Sequence, residues 1–337
     1  MFRLRLAPAL AGMLLLPSVH AGVITENFSH DPSQDGWRLF GDTTLFQWDS
    51  AHHNVAVTWD TTRANGFFYH PLGTVLSRSD DFKIEFDLTL ADIASGTVSN
   101  KTTAMEIGIG LYSFADMTNA GFERGNFGNT PSLAEFDYFY SGYYIYNGMR
   151  IDVNPTSTPA FVSTNAYDIA PTFFPQDEPA LPTNAVVHVT MTYTAANQTA
   201  ATTVTTNGVS VFDVPDVVLT TDGFSDSDDY RVDTFSINNY GGQGDDYDSL
   251  LAHGAVGNVT VTYPDPVQNF TGALNGGSWQ GQFVSRNHWQ YTLERSMDLK
   301  KWSAVGAGVA GNGGAQTLQD PNPPAASAFY RVSAMPQ

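Results

Sequence analysis

The chain has 337 residues, including 34 Asp or Glu against 15 Lys or Arg, for a formal net charge of −19. This charge repels phosphate backbones and anionic polymers, which argues against nucleic acid or an anionic lipid surface as partner, whereas neutral polysaccharide, divalent cations or plain solubility are compatible with it. The chain has no cysteine, so disulfides are excluded and stability has to come from a large apolar core or a bound metal.

The first predicted element is a signal peptide over residues 1–21. Arg3 and Arg5 precede an apolar stretch from Leu6 to Leu16, and Val19-His20-Ala21 has the pattern of a cleavage site. The apolar stretch is shorter than the roughly 20 residues of a membrane-spanning helix, and no later segment is long and apolar enough for a second anchor. The sequence therefore predicts a bacterial-type protein that is secreted, periplasmic or on the cell surface.

The mature part is predicted to be β-structure throughout, because runs rich in Val, Thr, Phe and Tyr alternate with Gly, Asn, Asp and Pro. The predicted strands are Asn54 to Trp59, Phe82 to Leu90, Ala104 to Tyr112, Leu133 to Tyr140, Met149 to Val153, Val186 to Tyr193, Ala200 to Thr206, Tyr230 to Asn238 and Gly257 to Tyr263. Ala195-Ala196-Asn197-Gln198 and Asn207-Gly208 are predicted hairpin turns. Many antiparallel strands joined in this way predict a sandwich of two sheets.

A domain boundary is predicted at Pro264-Asp265-Pro266, because proline cannot donate to a strand ladder. It separates a sandwich over residues 22–263, expected to fold by itself, from a small β-module over residues 264–337. Short strands of the module are predicted at Gln290 to Ser296, Gln316 to Gln319 and Phe329 to Val332. Its predicted core is aromatic, with a sugar platform as the alternative role, and consists of Trp279, Trp289, Trp302 and Tyr330.

Several short motifs resemble one superfamily. They are Glu26-Asn27-Phe28, Asp35-Gly36-Trp37, Phe82 to Asp87, Glu135 to Tyr138 and Gly257 to Val261. Together they resemble concanavalin A-like (LamG-like) lectin and glucanase sandwiches over residues 22–263. This resemblance implies a jelly-roll sandwich of two antiparallel sheets. The last 70 or so residues look like a C-terminal module that recurs in secreted bacterial proteins, many of them glycan-active.

The strand from Leu133 to Tyr140 decides between enzyme and binding protein. With a period of two, Glu135, Asp137 and Phe139 share one face. The resemblance to laminarinase-like hydrolases implies a Glu-x-Asp-x-Glu pattern here, in which Glu135 and Asp137 match while Phe139 replaces the acid/base. Retaining hydrolysis needs two carboxyl groups about 5 Å apart. A hydrolase that uses this strand is therefore not expected, and no catalytic residue is predicted.

The same strand also resembles that of legume lectins, which implies Glu135 and Asp137 as metal ligands. The segment that follows lacks the other acids of such a site. A solvated polar face is the alternative for both residues. Phe82 to Leu90 repeats the pattern with Glu85 and Asp87, which favours sandwich patterning over catalysis.

One further cluster suggests a cofactor. Asp245, Asp246 and Asp248 lie in a Gly-rich turn, and oxygen ligands on a loop suit calcium. Their spacing is not that of a twelve-residue calcium loop, so a solvated turn is the alternative. Calcium is the one cofactor that the sequence suggests.

An aromatic segment follows Glu135. Some of its rings are expected in the core, whereas Tyr143 and Tyr144 beside Gly142 are suited to stacking on sugars, with Asn147 and Arg150 as hydrogen-bonding partners. The candidate carbohydrate-binding residues are Glu135, Asp137, Phe139, Tyr143, Tyr144, Asn147 and Arg150.

The sequence therefore favours an exported, non-catalytic β-sandwich that binds a neutral glycan or acts at the cell surface. Two alternatives stay open: a glycoside hydrolase or polysaccharide lyase with a rearranged site, and a purely structural or adhesive exported protein.

Overall fold

The computed structural model describes residues 22–96, 106–120, 122, 132–140, 145–153, 160–163, 180–211, 216–219, 229–241, 249–325 and 327–336. Within these ranges the regular structure is almost all strand, with a short helix α1 at Phe114–Met117. The strands up to residue 263 are β1 (Gly22–Glu26), β2 (Arg38–Gly41), β3 (Phe46–Asp49), β4 (Asn54–Asp60), β5 (Gly66–Leu76), β6 (Phe82–Ser95), β7 (Glu106–Tyr112), β8 (Leu133–Tyr140), β9 (Ile145–Val153), β10 (Ala160–Ser163), β11 (Val186–Thr194), β12 (Thr199–Thr206), β13 (Val209–Ser210), β14 (Val217–Val218), β15 (Val232–Asn239) and β16 (Leu250–Tyr263).

These strands form two antiparallel sheets. Sheet A has the order β13-β12-β11-β6-β16-β4-β3, with β1 added to β16 and β14 to β12; sheet B has the order β10-β9-β8-β7-β15-β5-β2. One apolar core fills the space between them. Phe86 of sheet A meets Phe136 of sheet B with ring centroids 5.9 Å apart. The predicted all-β sandwich of two antiparallel sheets is confirmed.

Alternation explains why the core lies where it does. In β6, residues Phe82, Ile84, Phe86, Leu88 and Leu90 are buried, and the residues between them up to Thr89 are half-buried. A strand with one apolar and one polar face packs its apolar face against another layer.

Each predicted strand is present among the described residues, and the strand from Leu133 to Tyr140 has the predicted bounds; Ala104 and Met105 of the predicted strand Ala104 to Tyr112 lie outside the described residues. The hairpin between β11 and β12 is confirmed by Thr194 pairing with Thr199. Asn207 and Gly208 form the predicted turn with φ of 52° and 75°. The strands that were not predicted are β1, β2, β3, β5, β10, β13 and β14. β5 contains Pro71 and a positive-φ Gly73, and both residue types indicate breaks.

The C-terminal unit, residues 267–336, has its own sheets. Its strands are β17 (Val267–Asn275), β18 (Ser278–Ser285), β19 (Trp289–Ser296), β20 (Ser303–Ala304), β21 (Val309–Ala310), β22 (Ala315–Asp320) and β23 (Phe329–Pro336). Sheet C has the order β17-β18-β22, and in sheet D β19 pairs with β20, β21 and β23. The predicted small β-module is therefore present as folded β-structure; the boundary near Pro264 and the independence of residues 22–263 stay predictions.

The core of the C-terminal unit differs in part from the predicted one. Trp289 and Tyr330 are buried in it, and the half-buried Trp279 stacks on Tyr330 with centroids 3.9 Å apart. Trp302 was expected in the core, but it is only half-buried and lies under the guanidinium of Arg331 at 4.3 Å. The remaining core positions are filled by Phe283, Tyr291, Leu293 and Leu318.

In the part of the chain that the structure describes, no helix is long and apolar enough to cross a membrane.

Candidate functional site on the outer face of sheet B

The predicted Glu-x-Asp strand, β8, lies inside sheet B between β7 and β9. Phe136 and Tyr138 belong to the core between the sheets, and Tyr140 packs against it. Glu135 and Asp137 therefore point to the opposite side, which we call the outer face of sheet B. On this side Leu133 joins a second apolar cluster.

The strand register places five columns of residues side by side on the outer face. One row across β8, β7, β15, β5 and β2 is Glu135, Gly110, Ser236, Tyr69 and Arg38. The next row is Asp137, Gly108, Asn238, Phe67 and Phe40. Carboxylates thus lie at one side of the face, aromatic rings at the other, and glycines and small polar residues between them.

Glu135 lies in a hydrogen-bonded cluster at 0% exposure. Its Oε2 accepts from the hydroxyl of Tyr112 at 2.5 Å and from that of Tyr240 at 2.6 Å. Asn238 Nδ2 donates to the Tyr240 oxygen at 3.0 Å, and the Ser236 hydroxyl donates to Asn238 Oδ1 at 2.5 Å. Asp137 is also buried, at 1% exposure. The alternative of a solvated face is therefore wrong for both carboxylates.

Two glycines in β7 make room for Glu135, Gly108 for its carboxyl group and Gly110 for its backbone. A Cβ added at Gly108 would overlap Oε2 of Glu135 and lie 2.6 Å from the Tyr240 ring. A Cβ at Gly110 would lie 2.5 Å from the Glu135 Cα. Strand glycines commonly mark such close approaches. The Gly-x-Gly of β7 therefore forms the slot in which Glu135 is held.

The cluster keeps its tyrosine hydroxyls protonated. Burial, and after it the negative charge of Glu135 and the neighbouring Tyr240, raise the pKa of Tyr112 well above its usual value of 10.0. Tyr112 therefore remains a hydrogen-bond donor to Glu135 throughout the physiological pH range. An enclosed carboxyl group that accepts from two phenols is oriented and shielded from water, which suits a structural role in the sheet.

The other Glu-x-Asp pair has a different environment. Glu85 and Asp87 lie on the solvent side of sheet A, with side chains 26% and 24% exposed. Lys83 Nζ lies 2.7 Å from Glu85, and His188 Nδ1 lies 2.8 Å from Asp87. The alternation of apolar and polar residues along the strand explains this pair, as expected. Glu135 differs because it is buried and accepts hydrogen bonds from Tyr112 and Tyr240.

The remaining candidate residues are placed only in part. In the register of β8, Phe139 lies opposite Glu106 and Tyr146; Arg150 lies opposite Glu135, and Asn147 opposite Tyr138. Tyr143, Tyr144, Asp245, Asp246 and Asp248 lie outside the described residues. Among the residues that are described, no three His, Asp or Glu side chains group as a metal site. Sugar binding by the seven candidates and calcium binding by the three aspartates stay predictions.

An open pocket of about 310 Å³ lies at the other side of the outer face, at the β2 edge. We call it the edge pocket; it is lined by Arg38, Tyr69, Pro71, Gly73, Thr74, Val75, Phe114, Asp233 and Thr234. The Tyr69 and Phe114 rings lie 4.8 Å apart by centroid. Phe40, 41% exposed, meets the Phe114 ring edge-on at 6.3 Å. Phe40, Tyr69 and Phe114 form an aromatic shelf beside the pocket, in which Phe40 is exposed, Phe114 is half-buried and Tyr69 is buried at 7% exposure.

The polar groups of the edge pocket are one cation and one anion. Arg38 is exposed on strand β2. Asp233 Oδ1 accepts from the Phe114 backbone N–H at 2.9 Å and from the Thr234 hydroxyl at 3.0 Å. Asp233 therefore holds the start of α1, and with it the Phe114 ring, at the pocket. The pocket combines aromatic surface, hydrogen-bonding groups and no net charge.

Sequence reasoning missed Tyr112, Tyr240 and the edge pocket. The alternation Ile107-Gly108-Ile109-Gly110-Leu111 was a usable signal, because glycine at every second position strips one strand face of side chains. The residues that bond to Glu135 come from segments far apart in the sequence, and no local sequence pattern predicts the order of the strands in the sheet. Phe40 was hidden in the unpredicted β2.

No family model and no curated protein sequence matches the chain. Among solved structures it is similar to peanut lectin with a 9mer peptide, at 16% identity over 73% of this chain and 100% of that chain, with a TM-score of 0.37. It is also similar to the legume lectin-like domain from Entamoeba histolytica (10% identity, 72% and 96% covered, TM-score 0.38) and to an alginate lyase in complex with alginate trisaccharide (10%, 74% and 100%, 0.38). These three structures are a legume lectin, a legume lectin-like domain and an alginate lyase, and no residue or ligand is carried from them to this chain.

Proposed function

We propose that this protein is an exported, non-catalytic β-sandwich that binds a neutral glycan in the edge pocket. The observation that carries the proposal is the aromatic shelf beside Arg38 and Asp233 in an open pocket of about 310 Å³. Sugar rings present apolar C–H faces and a rim of hydroxyls. A pocket with aromatic walls and a few fixed polar groups is complementary to both.

The charges of the pocket support a neutral ligand. Arg38 and Asp233 cancel each other, and the chain as a whole carries a formal charge of −19. An anionic polysaccharide would be repelled at long range without a compensating cationic patch in the pocket. The predicted signal peptide over residues 1–21 supports export to a compartment where polysaccharides are present.

The environment of Glu135 supports a non-catalytic role. Glycoside hydrolysis needs two carboxyl groups on either side of the bond, reachable by substrate. Glu135 is enclosed and bonded to Tyr112 and Tyr240, and the position of the expected acid/base is Phe139. The strand therefore lacks both an accessible nucleophile and a proton donor.

Affinity electrophoresis through mixed-linkage β-glucan, together with a glycan array, tests the proposal. We expect retardation of the wild type and about tenfold weaker binding for Phe40→Ala, since a stacked ring contributes on the order of 1 kcal/mol. Leu274→Ala is the matched control, because Leu274 is 68% exposed on the C-terminal unit.

Three results would overturn the proposal. If no neutral glycan binds, or if Phe40→Ala and Leu274→Ala behave alike, the edge pocket is not the sugar site. Release of reducing sugars from the same polysaccharides would show that the protein is an enzyme. Glu135, which is bonded to two tyrosines, would then be a candidate catalytic residue.

A further inference from the structure

One wall of the edge pocket is a bulge in β5. Val232 of β15 pairs with Leu76, and Thr234 pairs with Pro71, so the single residue Asp233 faces the four residues 72–75. Gly73 turns the chain there with φ of 68°. A bulge takes residues out of the strand ladder and leaves their backbone groups to other partners. Three of the bulge residues, Gly73, Thr74 and Val75, line the pocket.

The partners of the bulge come from beyond β5 and β15. The Tyr263 hydroxyl donates to the Leu72 carbonyl at 2.7 Å. Arg286 of the C-terminal unit donates from Nη2 to the Val75 carbonyl at 2.8 Å and from Nη1 to the Thr74 hydroxyl at 3.1 Å. The C-terminal unit thus reaches back to the segment that forms the pocket wall.

Arg286 is itself firmly held. It is 3% exposed, and its Nε donates to Asp80 Oδ1 at 2.6 Å, while Nη1 also donates to the Pro264 carbonyl at 3.2 Å. Asp80 is 4% exposed and accepts from the Ser77 backbone and hydroxyl, both at 2.9 Å. A planar guanidinium satisfies these acceptors in one fixed geometry, which a lysine ammonium cannot reproduce.

We infer that Arg286 is a positioning residue for the edge pocket: the C-terminal unit fixes the wall formed by residues 72–75 in its binding shape. Arg286 does not line the pocket; it acts through Thr74 and Val75. The part of this inference that concerns sugar affinity rests on the proposed function, and the part that concerns the wall does not.

Hydrogen–deuterium exchange of peptides within residues 66–80 tests the wall directly in Arg286→Lys and Arg286→Gln. We expect about tenfold faster exchange there in Arg286→Gln, a smaller increase in Arg286→Lys, and unchanged exchange in β8, because opening of the bulge becomes easier without these bonds. Arg331→Gln is the control, since Arg331 is exposed and pairs with Glu294 inside the C-terminal unit. Binding of the mixed-linkage β-glucan should weaken about fivefold in Arg286→Lys and not in Arg331→Gln.

Because an unpaired buried Asp80 is costly, Thr74→Val serves as a second variant that keeps the ion pair and removes one acceptor. Faster exchange at residues 66–80 in this variant supports the inference even if the Arg286 variants do not fold. Unchanged exchange in folded Arg286→Lys and in Thr74→Val overturns it, as does faster exchange with unaltered glucan affinity. A wild type that binds no glycan rejects the proposed function, while the exchange data still decide whether Arg286 holds the wall.

Discussion

At the scale of single residues, one sequence pattern has two outcomes in this protein. The Glu-x-Asp of β6 is solvent-facing and is paired with Lys83 and His188. The Glu-x-Asp of β8 is enclosed, and Glu135 accepts from two tyrosines. The difference arises from the neighbouring strands, because β7 presents glycines and Tyr112 to Glu135.

This difference predicts unequal effects of the same substitution. Glu135→Gln should lower the free energy of unfolding by about 1–3 kcal/mol, because it weakens two hydrogen bonds to a buried charged group. Glu85→Gln should change it by less than about 0.5 kcal/mol, as is usual at a solvated position. Urea unfolding followed by tryptophan fluorescence measures both. Equal losses in the two variants would show that the tyrosine cluster does not stabilise the fold.

At the scale of elements, strand β7 is defined by the side chains that it lacks. Gly108 and Gly110 leave a slot on the outer face, while Ile107, Ile109 and Leu111 fill the core on the other side. The same strand therefore packs against sheet A through large residues and receives Glu135 through small ones.

The slot makes Gly108 intolerant of a methyl group. Gly108→Ala should lower the melting temperature by several degrees, since the added Cβ overlaps the Glu135 carboxyl and the Tyr240 ring in a packed site. Gly257→Ala on β16 is the control: its Cβ would have contacts no closer than 3.7 Å, so a melting temperature equal to or above that of the wild type is expected. Differential scanning calorimetry compares the two variants. Equal melting temperatures would show that the space at Gly108 is not needed for Glu135.

The strands that the sequence predicts are those with clean alternation. β8 was predicted with its observed bounds because apolar and polar residues alternate along it and Gly or Pro are absent. β5 was not predicted, because Pro71 and Gly73 form the bulge at its centre. The face shared by Glu135 and Asp137 was predictable from a period of two. Their burial was not, because Tyr240 reaches Glu135 only through the sheet order β8-β7-β15.

At the scale of the whole molecule, buried tyrosines couple stability to alkaline pH. Burial raises the pKa of Tyr193 to about 12 and that of Tyr230 well above 10.0. In the C-terminal unit, burial and after it Asp320 raise the pKa of Tyr330 to about 12. Each of these groups keeps its proton longer in the folded than in the unfolded chain.

Stability from these groups should be fully present below pH 10 and should fall as the pH rises from 10 towards 12. There the unfolded chain releases protons that the folded chain retains, at a slope of about 1.4 kcal/mol per pH unit for each such tyrosine. Urea midpoints at closely spaced pH values from 8 to 11.5 measure the fall. Tyr230→Phe should make the slope shallower above pH 10 and leave the slope between pH 8 and 9 unaltered. If the slope of Tyr230→Phe above pH 10 is as steep as that of the wild type, Tyr230 does not contribute to the loss of stability at alkaline pH.

The pairing of β1 with β16 has a consequence for how the chain folds. Gly22 pairs with Tyr263 and Glu26 with Val259, so the partner of β1 is synthesised about 240 residues later, the kind of long-range pairing that slows folding. Until then β1 lacks the strand with which it pairs, and β4 and β6, which flank β16 in the sheet, also wait for it. Sheet A is therefore completed by the strand that pairs with its first one, and we expect the slowest step of folding to be the pairing of β16 with β1, β4 and β6.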